Sequence, residues 1–198
     1  VDPDGKGLDD HWTKAAFAFF SGLILHCCVT VRHKHDRMPT LQELTLMMSA
    51  PDSTTQELLD EMMTAPHADW FREFAPNADE RVGDVCHVFI ASSAREMASK
   101  ASNEASGVLS SALVNMALYR DPVVNINTAR SDFHIHDLMN DDNPVNLYLV
   151  VSPEAIDRMK PLLRLIVDLI IRRVCAKMEF AEGSSKAGYT HRLLFMLD

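Results

Sequence analysis

Glycine is scarce, seven in 198 residues, and no stretch of the chain reads G-x-x-x-x-G-K-[ST]. That loop cradles nucleotide phosphates, so the chain by itself cannot cleave ATP. Cysteine is equally sparse: Cys27, Cys28, Cys86 and Cys175 have neither zinc spacing nor the pattern of a disulfide framework, which points to a reducing compartment. Positive charge is in deficit, 19 Lys and Arg against 28 Asp and Glu for a formal net charge of −9, which argues against a generic polyanion binder. Long apolar runs are missing as well. The richest, Leu162 to Val174, is interrupted by Arg164, Asp168, Arg172 and Arg173, and no stretch approaches the roughly 20 consecutive apolar residues that cross a bilayer.

What is present is an ordinary globular composition, 47% apolar and 24% charged, enough for a sizeable core. No basic segment precedes an apolar one at the start, where Val1-Asp2-Pro3-Asp4-Gly5 reads as a loop. At the other end Leu193-Leu194-Phe195-Met196-Leu197-Asp198 has the pattern of a buried strand with no cap or tail. The expectation is an internal piece of a longer chain.

The first two-thirds predict helices. Trp12, Ala15, Ala16, Phe19, Phe20, Leu23, Ile24 and Cys27 recur at helical spacing over 11–31, with Asp9 or Asp10 as N-cap. Thr40-Leu41-Gln42-Glu43 and Thr54-Thr55-Gln56-Glu57 match the capping box and open helices to about Ser49 and to just before Pro66. Trp70, Phe71 and Phe74 anchor a further turn, and 82–100 and 103–119 complete about six helices, with a break at Asp121-Pro122. The pattern then changes. Val145 to Val151 is an apolar run of strand length, Ser152-Pro153 opens a helix, Gly183 to Gly188 is a turn-rich loop, and His191 to Asp198 is a second buried strand. Lys160, Arg164, Asp168 and Arg172 form a polar stripe on that helix, Leu163, Ile166, Leu169, Ile170 and Val174 are left to cover a sheet, and Pro161 fits near the start of its straight portion. Strand, helix, strand predicts a right-handed parallel βαβ unit.

Several constellations could carry chemistry. Four apolar residues ending in Asp198 fit a strand that delivers one carboxylate to a magnesium hydration shell, although buried strands ending in Asp are common. His33/His35 and His134/His136 are i,i+2 pairs, but zinc needs three or four clustered ligands and no third has the spacing, so no metal site is assigned and solvated loop histidines are expected. Cys27 and Cys28 read as packing residues, and Met47/Met48 and Met62/Met63 as core filling. The tract Arg32 to Arg37 reads as a solvated loop.

Taken in order, Asp2-Pro3-Asp4-Gly5-Lys6-Gly7-Leu8-Asp9-Asp10-His11-Trp12, Ser93-Ala94-Arg95-Glu96-Met97, Asn103-Glu104-Ala105-Ser106-Gly107-Val108, Leu118-Tyr119-Arg120-Asp121-Pro122, Pro144 to Pro153, Arg158 to Leu165 and His191 to Asp198 resemble blocks of the TraG-type coupling proteins of conjugative type IV secretion systems. The resemblance covers nearly the whole chain, with departures at Ala105 and Ser152 and a poor match from Pro66 to Asp84. It implies a mainly α piece of a longer protein: an all-α cytoplasmic domain over 1–122, then over 123–198 an incomplete α/β segment of a RecA-like nucleotide-binding domain that ends at the Walker B strand, with Asp198 as the magnesium ligand. The implied parent is a homo-hexameric ATPase at the cytoplasmic face of the bacterial inner membrane, using ATP and Mg²⁺, with its Walker A loop elsewhere. Its expected partners are relaxase and relaxosome proteins or secreted effectors, and single-stranded DNA. The helical domain has 17 acidic and 10 basic residues up to Arg120, which favours protein cargo over naked DNA. A helical DNA-binding module and a cargo adaptor without a motor role remain open. The isolated chain is expected to be inactive, and to be a monomer or a dimer made by exchanged C-terminal elements.

Overall fold

A computed structural model describes residues 11–175, 179–181, 184–186 and 189–196. It is mainly α, as expected. Of these residues, 11–130 fall in one compact unit and 131–196 in a second.

The helical unit is built on α1 (His11–His35), which, and not the 162–174 run, has the length and composition to span a membrane among the described residues. Half of its most apolar stretch is buried, however, because α1 is the central helix of the unit. Phe19, Leu23, Cys27 and Val31 form its inward face. It runs one turn beyond the expected end at Val31. Arg32, His33 and Lys34 suit the negative end of the helix dipole, and the chain turns only at Asp36, whose φ of 51° is left-handed. The Arg32 guanidinium donates to the Asp36 carbonyl at 2.9 Å, satisfying one of the terminal acceptors.

Both capping boxes form. In α2 (Leu41–Ser49) Thr40 Oγ1 accepts from the Glu43 N–H at 3.2 Å while Glu43 Oε2 accepts from the Thr40 N–H at 2.8 Å. Thr54 and Glu57 repeat this at α3 (Thr55–Thr64), which buries Leu58, Leu59 and Met62. The short α4 (His67–Phe74) leads to α5 (Glu80–Ala98), then α6 (Ser102–Asn115) and a 3₁₀ turn (Ala117–Arg120). The break at Asp121-Pro122 turns out to start α7 (Pro122–Thr128). Asp121 Oδ1 accepts from the N–H groups of Val123 and Val124, and Pro122 occupies the first turn, where its missing N–H costs nothing.

Two helices approach closely where α1 has no side chain. A Cβ on Gly22 would lie 2.4 Å from Ser93 Oγ and 2.5 Å from Ser93 Cβ. Ser93 Oγ in turn donates to the α1 carbonyls of Ala18 or Phe19 at 3.3 Å. Leu23 and Met62, together with Ile90 and Met97 of α5, are fully buried, each burial being worth about 1.5–3 kcal/mol.

The second unit has a small core of Leu138, Met139 and Ile170, flanked by Ile135, Ile166, Val174, Tyr189 and Leu193. Its elements are α8 (Asp137–Asn140), a 3₁₀ turn (Pro153–Ala155), α9 (Ile156–Val174) and a two-stranded antiparallel hairpin, β1 (Glu179–Ala181) with β2 (Ser184–Lys186). The hairpin replaces part of the loop expected over 183–188. Pro161 lies inside α9, five residues after Ile156, and not at a helix start. The parallel βαβ unit and the RecA-like sheet are not seen among the described residues. Residues 145–150 and 192–196 carry no ladder, and Tyr148 and Val150 are 79% and 85% exposed. An apolar run becomes a strand only when a neighbour takes up its N–H and C=O groups, and no described segment forms a ladder with either of these two.

Gly22→Ala should lose about 1–3 kcal/mol of stability by overpacking, despite a gain of about 1 kcal/mol in helix propensity. Adding Ser93→Gly should recover at least half of that loss, as read from urea midpoints. The Arg37 guanidinium, 2.5 Å from the Glu43 carboxylate, and the cap hydrogen bonds from Thr40 hold the Glu43 carboxyl down at about 2. A depressed carboxyl stabilises the fold above its unfolded pKa and loses that contribution as pH falls through the range from about 4.5 to about 2. Glu43→Gln should therefore flatten the acid limb of a stability-versus-pH curve over that interval.

Candidate interaction surface

Asp198, the one residue expected to serve nucleotide chemistry, lies outside the described residues, as do Asp9 and Asp10. Of the strand meant to deliver it, Leu194 and Met196 are solvent-exposed. The stretch is moored at its start, where the His191 N–H donates to the Met139 carbonyl at 2.9 Å and the Thr190 N–H to Asn140 Oδ1 at 3.2 Å.

The paired histidines do not meet as ligands. His33, in the last turn of α1 and not in a loop, stacks on Trp70 with ring centroids 4.6 Å apart and bonds Glu73 Oε2 at 2.7 Å. His134 opens the turn into α8, where its N–H donates to Asp137 Oδ2. No group of three or more metal-ligating side chains occurs among the described residues. Cys27 is fully buried and burial pushes its thiol up to about 12, so it packs and does not react. Met62 is core, as its spacing predicts.

The basic tract 32–37 is not a free cationic patch. Arg32 pairs with Asp36, Lys34 with Glu61 at 3.7 Å, and Arg37 with Glu43 through two hydrogen bonds. The same holds across the helical unit: Arg72 bridges Asp69 and Asp84, Arg81 pairs with Asp79, and Lys100 lies between Glu96 and Glu104. Most of its bases are already occupied by carboxylates.

An apolar row on α5 instead faces solvent. Val82, Val85 and Phe89 repeat at i, i+3, i+7 with Val88 beside them, and Val85 and Val88 are 66% and 63% exposed. Cys86, Ile90, Ala94 and Met97 make up the opposite, buried face, so the outward row is surplus to the core. Sequence reading predicted a helix over 82–100 and assigned it no buried face, since α5 is apolar on two faces and periodicity does not say which has a neighbour.

Reading the sequence also missed a row of three histidines. His26 of α1 and His67 of α4 are fully buried, with His26 Nδ1 2.8 Å from His67 Nε2, and His67 Nδ1 is 3.2 Å from His87 Nδ1 of α5. The available signal was His26 itself, a polar residue on the apolar face one turn after Leu23. His67 offers a different nitrogen to each neighbour, so the three rings do not converge on one ion.

Blocks far apart in sequence come together at the start of α1. His11 Nε2 is 3.3 Å from Glu104 Oε1, Lys100 Nζ reaches the same oxygen at 3.0 Å, and a Cβ on Gly107 would lie 2.6 Å from the Trp12 ring. Gly107 is thus the seat of the indole. These are pieces of two of the blocks that carry the family resemblance, and over their full span the chain matches the family model described as type IV secretory system conjugative DNA transfer, residues 1–198. The chain belongs to that family. Two conjugal transfer proteins TraG from Escherichia coli are 43% identical over 198 residues and 40% identical over 199. Each alignment takes in all of this chain but 29% of the relative. No solved structure matches.

For this member of the conjugative DNA-transfer family, the Trp12 and Gly107 contact is directly testable. Gly107→Ala should displace the indole, shift Trp12 emission to the red and lower stability by about 1–2 kcal/mol. Unchanged emission would show that the ring does not rest on position 107.

Proposed function

We propose that the helical unit is the docking domain of a conjugative coupling protein and that it receives protein cargo, relaxase or relaxosome components, on the outward face of α5. The observation that carries this reading is the solvent-facing row Val82, Val85, Val88 and Phe89 on a unit whose bases are largely paired. Exposed apolar rows of this kind mark association sites, and the acidic balance suits a partner with basic residues around an apolar patch. Polyphosphate binding needs free cations, and pairing them with carboxylates works against it.

For the parent protein we propose a hexameric ATPase at the cytoplasmic face of the inner membrane that drives DNA or protein transfer with ATP and Mg²⁺. Residues 145–151 and 191–198 would be strands of its nucleotide-binding sheet and Asp198 the carboxylate that holds the magnesium hydration shell. Support comes from the family membership, from relatives more than three times as long as this chain, and from two apolar segments, 145–150 and 192–196, that form no ladder among the described residues.

Immobilised chain should retain the cognate relaxase or its accessory proteins at micromolar concentration, and Val85→Glu should weaken that retention about tenfold or more without changing the helical circular dichroism. Equal retention by Val85→Glu would exclude the α5 face, and no retention at all would remove the docking role. Steeply salt-dependent binding of single strands would favour a DNA-binding module. In the full-length protein Asp198→Asn should abolish ATP turnover and transfer; unaffected transfer would favour an adaptor without a motor role.

A further inference from the structure

The helix α4 is eight residues long, and its one fully buried residue is His67. An apolar anchor would be indifferent to protons. This anchor is the middle ring of a chain that starts at His26, in the core, and ends at the half-buried His87.

The proton count of that chain is constrained. Each of the two links holds one proton between two ring nitrogens, and His26 Nε2 is buried with no hydrogen-bond partner. In the cheaper arrangement His26 donates from Nδ1 to His67 Nε2, and His67 donates from Nδ1 to His87 Nδ1. The orphaned His26 Nε2 is then a bare lone pair, and His87 keeps its N–H on the outer nitrogen. A further proton on His26 must sit on Nε2. A further proton on His67 makes Nε2 a donor, which requires His26 Nδ1 to accept and moves the His26 proton to Nε2. Either way a buried N–H faces no acceptor beside a buried positive charge, the costliest state the row can adopt. The Thr30 hydroxyl one turn along α1 is likewise buried without a partner and makes no hydrogen bond to His26 Nε2.

We propose that the His26, His67 and His87 row is a proton-released latch: neutral, it holds α4 against α1 and α5, and a proton taken up by His26 or His67 frees α4 from the bundle. The latch does not depend on the docking role.

The charges facing the row act in the same sense on balance. Lys34 of α1 disfavours a proton on His26, the neighbouring rings disfavour one on His67, and only Glu61 of α3 favours it. Burial adds the largest effect, and both rings are brought down to about 4. The thiols of Cys27, Cys28 and Cys86 are pushed up and stay neutral. On the outer side α4 is tied by Arg72 to Asp84 of α5 and by Glu73 to His33 of α1. A proton on His33 would strengthen the Glu73 pair and so oppose release, which makes His33→Gln the necessary companion variant. A histidine whose folded pKa is depressed contributes stability above its unfolded pKa of about 6.5 and loses it as pH falls toward about 4.

Hydrogen exchange of the chain at pH 7 and pH 5, corrected for intrinsic rates, tests the latch. The amides of α4 should open about 20-fold more per titrating histidine at pH 5, with or without His33→Gln, while those of α6 keep their protection. His67→Phe should reduce the pH dependence in α4 to the share of His26, and His26→Phe combined with His67→Phe should abolish it. If that variant does not fold, imidazole nitrogen shifts of the unsubstituted chain decide. His26 protonated at Nδ1 at pH 7, with its titration accompanying the opening of α4, supports the latch. Equal α4 opening at both pH values, a pH response that persists when both His26 and His67 are replaced by Phe, or His67 titrating at 6.5 or above without opening α4 would each overturn it.

Discussion

The passage of α1 against α5 with nothing but a hydrogen at position 22 is the constraint on which the helical unit rests. It brings the two longest helices of the unit close enough for Ser93 to hydrogen-bond across the gap, and it fixes their rotation about their own axes. Phe19, Leu23 and Cys27 then face inward, and α3, α4 and α6 are left to cover the sides. Because the inward face of α5 is set by this contact, its second apolar face has to point outward. The surface proposed for cargo is therefore a by-product of how the core is closed.

Local signals in the sequence were accurate where the physics is local. Both capping boxes, the helices they open and the stops before Pro51 and Pro66 depend on residues within four positions of each other, and all are found. Asp121-Pro122 shows the limit of such signals: the dipeptide that breaks one helix also caps the next, and the choice depends on the residues downstream of it. The strands expected over 145–151 and 191–198 are not seen among the described residues for a different reason. Helices satisfy their own backbone, whereas a strand is a property of two segments, so an apolar run can be fit for a sheet and still have no ladder among the described residues.

The candidate site was less legible than the fold. Family blocks identified the chain without saying how they meet in space; Trp12 packs on Gly107 and His11 pairs with Glu104, which joins two of them. The histidine row was out of reach because its members lie 41 and 20 positions apart. Only His26 stood out, as a polar residue on an apolar stripe. The exposed α5 row was visible as apolar periodicity but not as surface, since exposure is decided by the neighbours.

The two tight fits, Trp12 with Gly107 and Gly22 with Ser93, span overlapping stretches of the chain. Conjugative elements exchange DNA, and a crossover between positions 22 and 93 would join the α1 of one allele to the α5 and α6 of another, breaking both matched pairs at once. Crossovers before residue 12 or after residue 107 would leave them intact. The helical unit should therefore pass between lineages as a single heritable block, with viable mosaics jointed at its margins.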